Sequence, residues 1–250
     1  EERLLGVSLT GIMDNELTNG TKHGLERTLE ALREIAVETN REWSAIFKIP
    51  QSTAITCVKP SGTVSQLVDS SSGIHPRHSA YYIRTVRGDN KDPLTQFMID
   101  SGVPSEPDFM KPDTQTVFSF PMKSPTTSTL RDDMTAIEQL EMWLTYQRYW
   151  CEHKPSVTVS VRDDEWMEVG AFVFEHFDEM SGVSFLPHSE HTYQQAPYQE
   201  CTEAVYNDFR SKFGHINWNK FRDYEKEDTT SGSQTFACSG DSCEIVDIGA

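Results

Sequence analysis

Val58-Lys59-Pro60-Ser61-Gly62-Thr63-Val64-Ser65-Gln66-Leu67 is the stretch whose reading decides the fold. It follows Thr53-Ala54-Ile55-Thr56-Cys57, whose residues are β-prone, so the run reads as a strand entering a tight loop, with a short helix over Val64 to Val68 beyond it. A loop of small residues between a strand and a helix leaves backbone N–H groups free to meet an oxyanion. Gly62 allows close approach, Ser61, Thr63 and Ser65 add hydroxyl donors, and a helix amino terminus favours negative charge, so a phosphate fits this pattern. The Gly-x-x-x-x-Gly-Lys spacing of a Walker loop is absent. On local sequence alone, an ordinary Ser or Thr helix cap explains the same residues.

Outward from this loop, strands and helices are expected to take turns. Leu25, Leu29, Leu32, Ile35, Trp43, Ile46 and Phe47 fall at three-to-four spacing and predict a helix over 21–47, after the Asn19-Gly20 turn. Val117-Phe118-Ser119-Phe120 predicts a strand, and Met134, Ile137, Leu140 and Leu144 a helix over about 129–151. Val157, Val159 and Val161 alternate with polar residues as a strand; Trp166, Val169, Val173 and Phe177 mark a helix opened by Asp163 and Asp164; Gly182 to Leu186 reads as a further strand. Such alternation predicts parallel βα units in an α/β barrel or wound sheet. From about Glu225 the apolar periodicity stops, and Thr229-Thr230-Ser231-Gly232-Ser233-Gln234 has linker composition.

The chain has 250 residues, enough to bury a full core, and a net charge of −17 that disfavours a nucleic-acid partner. No apolar run approaches the roughly 20 residues of a membrane-spanning helix. Five cysteines, an odd number, do not compose a secreted disulfide framework, and the amino terminus lacks signal-peptide character, so a cytoplasmic location is expected. The absence of an initiator Met points to a piece of a longer polypeptide or complex.

Further candidates divide by chemistry. Cys238-Ser-Gly-Asp-Ser-Cys243 places two thiols across four small or polar residues, a spacing that can close and exchange a disulfide; a chance pair is the alternative, and a zinc site would need further ligands. His75, Arg77, His78, Arg84 and Arg87 gather after the loop and are candidates for an anionic ligand, or for salt bridges to the abundant acids. His188, His191 and Cys201 could be metal ligands, although their surroundings read as a solvated loop. Cys57 and Cys151 read as core, and Asp163, Asp164 and Glu165 as first-turn acids placed by the helix dipole.

The loop run, continued by Ser72-Gly73-Ile74-His75-Pro76-Arg77 and Tyr81-Tyr82-Ile83-Arg84, resembles the adenosylcobalamin-dependent (class II) ribonucleotide reductases, especially their monomeric branch. Leu5 to Ile12, Ser181 to Pro187 and Gln195-Ala196-Pro197-Tyr198 extend the resemblance over nearly the whole chain. It implies that residues 1–224 are later strands of a ten-stranded α/β barrel with an extension, and residues 225–250 a flexible carboxy-terminal tail. It implies substrate-phosphate binding by Pro60, Ser61, Gly62, Thr63 and Ser65, and a tail dithiol, Cys238 and Cys243, that is recharged by a thioredoxin-like reductant. Ribonucleoside di- or triphosphates are the implied substrates and adenosylcobalamin the implied cofactor, held mainly by the rest of the enzyme. The Asn-Pro-Cys-Gly-Glu motif that bears the family's radical cysteine is absent, so the chain alone is expected to be inactive and to need a chain or segment that carries it. A nucleotide-binding relic or regulatory protein without the radical site is the competing expectation, and a redox-carrier module the third.

Overall fold

The computed structural model describes residues 2–188, 194–226, 235–239 and 242–246, the last two stretches through their backbone alone. In chain order the elements begin with β1 (Val7–Ser8), α1 (Leu25–Phe47), β2 (Thr56–Cys57), α2 (Val64–Leu67), β3 (Tyr81–Asp89), α3 (Pro93–Asp100), β4 (Ser105–Pro107) and β5 (Gln115–Lys123). They continue with α4 (Ala136–Tyr149), β6 (Val157–Val161), α5 (Trp166–Glu175), β7 (Val183–Pro187), β8 (Tyr198–Glu200), α6 (Glu203–Phe213), β9 (Thr235–Ser239) and β10 (Ser242–Val246). Two units result: residues 1–77 with 125–189, and residues 78–124 with 190–250.

The first unit follows the predicted parallel pattern. β1 pairs in parallel with β2 through Val7↔Thr56 and Ser8↔Cys57, and β6 with β7 through five residue pairs from Val157↔Val183 to Val161↔Pro187. The Ser156 N–H donates to the Val58 carbonyl at 3.0 Å, which brings the end of β2 beside the start of β6. β6, α5 and β7 form the expected βαβ crossover, which parallel strands need because a tight turn cannot join them. Alternation on β6 turns Val157, Val159 and Val161 inward, where they meet Leu140, Trp143 and Tyr146 of α4 in one apolar core with Leu29, Val58 and Ile74. The large polar-tipped rings in this core are satisfied: Trp143 Nε1 donates to the Pro155 carbonyl at 3.1 Å, Trp150 Nε1 to that of Cys57 at 2.7 Å, and the Tyr146 hydroxyl to that of Thr18 at 2.8 Å.

α4 begins at Ala136, later than the expected 129, because Thr135 and Glu138 build a capping box: the Thr135 hydroxyl accepts the Glu138 N–H and the Glu138 carboxylate accepts that of Thr135. α1 begins at Leu25 after Gly24, whose φ of 94° ends the preceding turn, so the helix starts four residues after the predicted 21. Of its apolar series Leu29 is fully buried, whereas Ile35, Ile46 and Phe47 each expose more than 60% of their surface.

The second unit departs from the parallel prediction. β3 and β5 pair antiparallel over nine residues, from Tyr81↔Lys123 to Asp89↔Gln115, within a sheet ordered β4-β5-β3-β8 whose pairings are all antiparallel. Tyr82, Val117 and Phe118 are buried on it. Pro93 at the first turn of α3, behind an Asp92 whose carboxylate accepts the Leu94 N–H, and Thr202 before α6 start the helices of this unit. β9 and β10 form an antiparallel pair, a regular feature that follows the residues of linker composition, 229–234. Among the described residues no helix is long and apolar enough to cross a membrane.

Candidate functional site

β2 delivers the loop from a buried start: Thr56, Cys57 and Val58 are each at most 6% exposed, and the chain surfaces at Lys59 and Pro60. Three hydrogen bonds then fix the loop from within. The Lys59 N–H donates to the Ser8 hydroxyl at 2.9 Å, the Ser61 N–H to the Ser72 hydroxyl at 2.7 Å, and the Ser65 N–H to the Ser61 hydroxyl at 3.0 Å. Ser65 is fully buried and its hydroxyl donates to the Ser61 carbonyl, so it shapes the loop instead of presenting a donor to solvent. Thr63 sits at the amino-terminal end of α2 but makes no side-chain cap, contrary to the helix-cap explanation; Ser61 takes the nearest equivalent role. The N–H groups of Gly62, Thr63 and Val64 meet no acceptor among the described residues, and all three residues are exposed. A Cβ at Gly62 would meet nothing within 4 Å, so the space over the loop is open. α2 is a single turn, so these N–H groups themselves, and not a helix-long dipole, make the loop a place for an anion.

A second segment, residues 69–77, underlies the loop. Gly73 has φ of 52°, and a Cβ there would lie 3.0 Å from the Lys59 carbonyl oxygen and 3.1 Å from Val58 Cγ1, so only glycine lets this segment lie against the start of the loop. Arg77 closes the segment's far end. Its buried guanidinium binds both oxygens of Asp14, through Nε at 3.0 Å and Nη2 at 2.9 Å, and reaches Asp69 through Nη1 at 3.0 Å. Asp14 also accepts the Ser71 N–H at 2.7 Å and the Ser128 hydroxyl at 2.8 Å. Burial pushes the Asp14 carboxyl up, but Arg77, Ser128 and Ser71 outweigh it and hold the group below the usual carboxylate range. Ser8, Asp14 and Ser72 were not singled out by sequence reasoning. The Ser70-Ser71-Ser72 run was the available signal for Ser72; Asp14 and Ser8 carried none.

The basic residues expected around an anion are divided between the two units: His75 and Arg77 belong to the first and His78, Arg84 and Arg87 to the second. His78 stacks on Tyr198 with centroids 5.6 Å apart, the Arg84 guanidinium lies 4.3 Å over the same ring, and Arg87 Nε donates to Asp108 at 2.7 Å. Asp108 is buried, and its own burial is outweighed by Arg87 and the N–H groups of Lys111 and Met110, which hold its carboxyl low. Glu165 is likewise engaged: its carboxylate accepts the N–H groups of Ala136 at 3.1 Å and Arg162 at 2.8 Å, tying the turn before α5 to the start of α4. That is a more specific role than the dipole reading gave it. No group of three or more His, Cys, Asp or Glu residues placed to hold a metal occurs among the described residues; His188 lies 3.7 Å from Asp132, and His191 lies outside the described residues.

Cys57 and Cys151 are buried as read. Burial pushes both thiols up, Cys151 to about 12 with the neighbouring Cys57 adding to the shift, and burial together with Glu200 raises Cys201. Since the thiolate is the reactive form, iodoacetamide at pH 8 is expected to modify Cys57 and Cys151 at least roughly tenfold more slowly in the native protein than after unfolding in urea. Mass spectrometry of the labelled peptides reads this, and equal rates in the two states would contradict it. Cys238 and Cys243 lie on β9 and β10 as direct cross-strand partners, Cys243↔Cys238. Opposite positions of an antiparallel pair hold Cβ atoms about 4.5–5.5 Å apart, near the separation a disulfide bridges.

No protein-family model matches the chain. It is 30% identical over 250 residues to a probable adenosylcobalamin-dependent ribonucleoside-triphosphate reductase of Dictyostelium discoideum, covering 98% of this chain and 32% of that protein. It is 29% identical over 243 residues to the adenosylcobalamin-dependent ribonucleoside-triphosphate reductase of Euglena gracilis, covering 96% of this chain and 33% of that one. A crystal structure of a B12-dependent (class II) ribonucleotide reductase superposes with a TM-score of 0.76 at 23% identity, over 90% of this chain and 35% of that one, which shows a shared fold. The chain thus spans about a third of the length of the curated relatives it matches.

Proposed function

We propose that this member of the adenosylcobalamin-dependent (class II) ribonucleotide reductase family is the part of the enzyme that seats the substrate's phosphates and returns electrons after each turnover. In this reading the parallel strands of the first unit are later strands of a ten-stranded barrel. Residues 60–65 receive the phosphates of a ribonucleoside triphosphate, and residues 225–250 form the redox tail.

The observation that carries the reading is the set of three consecutive N–H groups, Gly62 to Val64, without an acceptor among the described residues, on an exposed loop whose Ser61 and Ser65 are held by hydrogen bonds. Charged acceptors bind such donors more strongly than neutral ones do. Pro60 fixes the entry to the loop, Ser61 and Ser65 brace it, Gly62 leaves room for the oxyanion, and Thr63 offers a hydroxyl beside it. Lys59, exposed next to the loop, supplies positive charge in a chain of net charge −17.

Reduction at the ribose removes the 2′-hydroxyl as water and takes two electrons from a pair of thiols, which end as a disulfide. Cys238 and Cys243 reduce that disulfide by thiol exchange, become a disulfide in turn, and are recharged by a thioredoxin-like dithiol. Adenosylcobalamin supplies the radical chemistry in this family's enzymes. In this reading the cofactor is held mainly by the remainder of the polypeptide or by a partner chain, together with the Asn-Pro-Cys-Gly-Glu segment.

Gly62→Val tests the phosphate loop, because its side chain enters open space and the backbone there needs no positive φ. In the whole reductase carrying this chain, KM for cytidine triphosphate is expected to rise about tenfold, the effect of losing about one charge-assisted hydrogen bond. An unchanged KM would overturn the loop assignment.

A further inference from the structure

His75 stands outside the proposed chemistry, yet both of its ring nitrogens are committed. Nδ1 lies 2.7 Å from the Ser72 carbonyl oxygen, which can only accept, so Nδ1 carries the proton. Nε2 is then the acceptor, and the Thr158 backbone N–H donates to it at 3.0 Å. Thr158 is the second residue of β6, whose partner on one side is β7. On its other edge β6 meets the Val58 carbonyl through Ser156, and among the described residues no further strand pairs there: the His75 ring takes the Thr158 N–H, and the Gln139 amide donates to the Thr158 carbonyl at 3.4 Å and the Ile74 carbonyl at 3.2 Å. Two side chains thus complete this edge of the sheet.

The same contact reaches the loop. Ser72, whose carbonyl His75 holds, is the residue whose hydroxyl accepts the Ser61 N–H at 2.7 Å, and Gly73 next to it lies against the Lys59 carbonyl. A path of three hydrogen bonds therefore runs from the buried strand to the loop: Thr158 N–H to His75, His75 to Ser72, and Ser61 N–H to Ser72. We infer that His75 is a positioning residue that sets the Pro60–Ser65 loop for phosphate by fastening its supporting segment to β6 as a neutral, Nδ1-protonated imidazole. The inference rests on the phosphate-loop reading and adds to it the element that holds the loop in register.

Protonation would undo this fastening, because an imidazolium turns two N–H groups outward and sets Nε2–H against the Thr158 N–H. The groups bonded to the ring, the Ser72 carbonyl and the Thr158 N–H, are uncharged, and the charged members of its own segment, Asp69 and Arg77, pair with one another, Arg77 also binding Asp14. Burial lowers the His75 pKa from its ordinary value, with the Ser72 carbonyl opposing. A depressed folded pKa means that the stabilisation is fully present above about pH 6.5 and is lost as pH falls through the lowered value.

The test compares three variants in the whole reductase with cytidine triphosphate. His75→Gln keeps an acceptor that reaches Thr158; His75→Asn keeps a donor toward Ser72 and loses Thr158; Gly62→Val disturbs the loop directly. His75→Asn is expected to raise KM about tenfold with kcat within about twofold, whereas His75→Gln stays within about threefold of the parent KM. The ratio of the parent's KM to that of His75→Gln, in which the titration of the substrate's own terminal phosphate cancels, should rise as pH falls through the lowered His75 value. A role in core stability alone would lower the melting temperature without making this ratio depend on pH. If His75→Asn does not fold, the pH dependence of the ratio decides. A ratio that does not change with pH, or equal KM in all His75 variants, overturns the inference while a raised KM in Gly62→Val leaves the phosphate reading standing. No effect of Gly62→Val removes the phosphate reading itself.

Discussion

Replacing Arg77 with methionine is expected to destabilise the first unit by about 3–5 kcal/mol, the cost typical of removing one partner from a buried ion pair. The Arg77 side chain is 3% exposed and that of Asp14 is 13%, so water cannot substitute for the lost guanidinium, and the carboxylate would be left buried among the Ser71 N–H and the Ser128 hydroxyl. In the parent, Asp14 is held below its ordinary value, so its contribution is present above about pH 3.9 and fades as pH falls through the lowered folded value. Without Arg77, burial is opposed by Ser128 and Ser71 alone, so the carboxyl moves up from its lowered value, and the variant's deficit should be largest near pH 7 and smaller near pH 3. Urea unfolding at the two pH values measures this; an equal deficit at both would mean that packing, and not charge, accounts for the loss. Adding Asp14→Asn, which keeps an acceptor for Ser71 and removes the charge, should restore part of the stability.

The second large effect is on turnover. Cys238→Ser or Cys243→Ser in the whole reductase should abolish turnover sustained by a thioredoxin-like reductant, because one remaining tail thiol can form a mixed disulfide but cannot resolve it. A single turnover of the pre-reduced enzyme should be unaffected, since it uses thiols already in place. Rapid-quench measurement of product per enzyme separates the two regimes, and sustained turnover in either variant would exclude the tail assignment.

The first unit was legible because its decisive signals are local. Val157, Val159 and Val161 give a strand, Met134, Ile137, Leu140 and Leu144 give a helix whose start was placed too early, and the α5 crossover makes the pairing of β6 with β7 parallel. The second unit was not. Tyr81 to Asp89 is as β-prone as the other strands, yet nothing within it states that its neighbour would be β5 running the opposite way, since pairing direction is set by chain connections far from either strand. In α1 the apolar spacing correctly gave a helix, but periodicity reports a face that favours burial without saying what buries it, and Ile35, Ile46 and Phe47 remain exposed. The loop residues were proposed from their types alone. Their support was not, because Ser72, His75 and Asp14 act through contacts that cross 11, 83 and 63 residues of sequence.

Gly73 and Gly62 look alike in a sequence and are opposites in the fold. Any single-base change in a glycine codon that alters the amino acid adds at least a Cβ. At position 73 every such neighbour in the genetic code meets the Lys59 carbonyl at a backbone angle unfavourable to side chains, so the codon is isolated, with no viable missense route out. At position 62 the same changes enter open space at a backbone angle that side chains tolerate. Drift is therefore freer at the exposed turn of the loop than at its foundation.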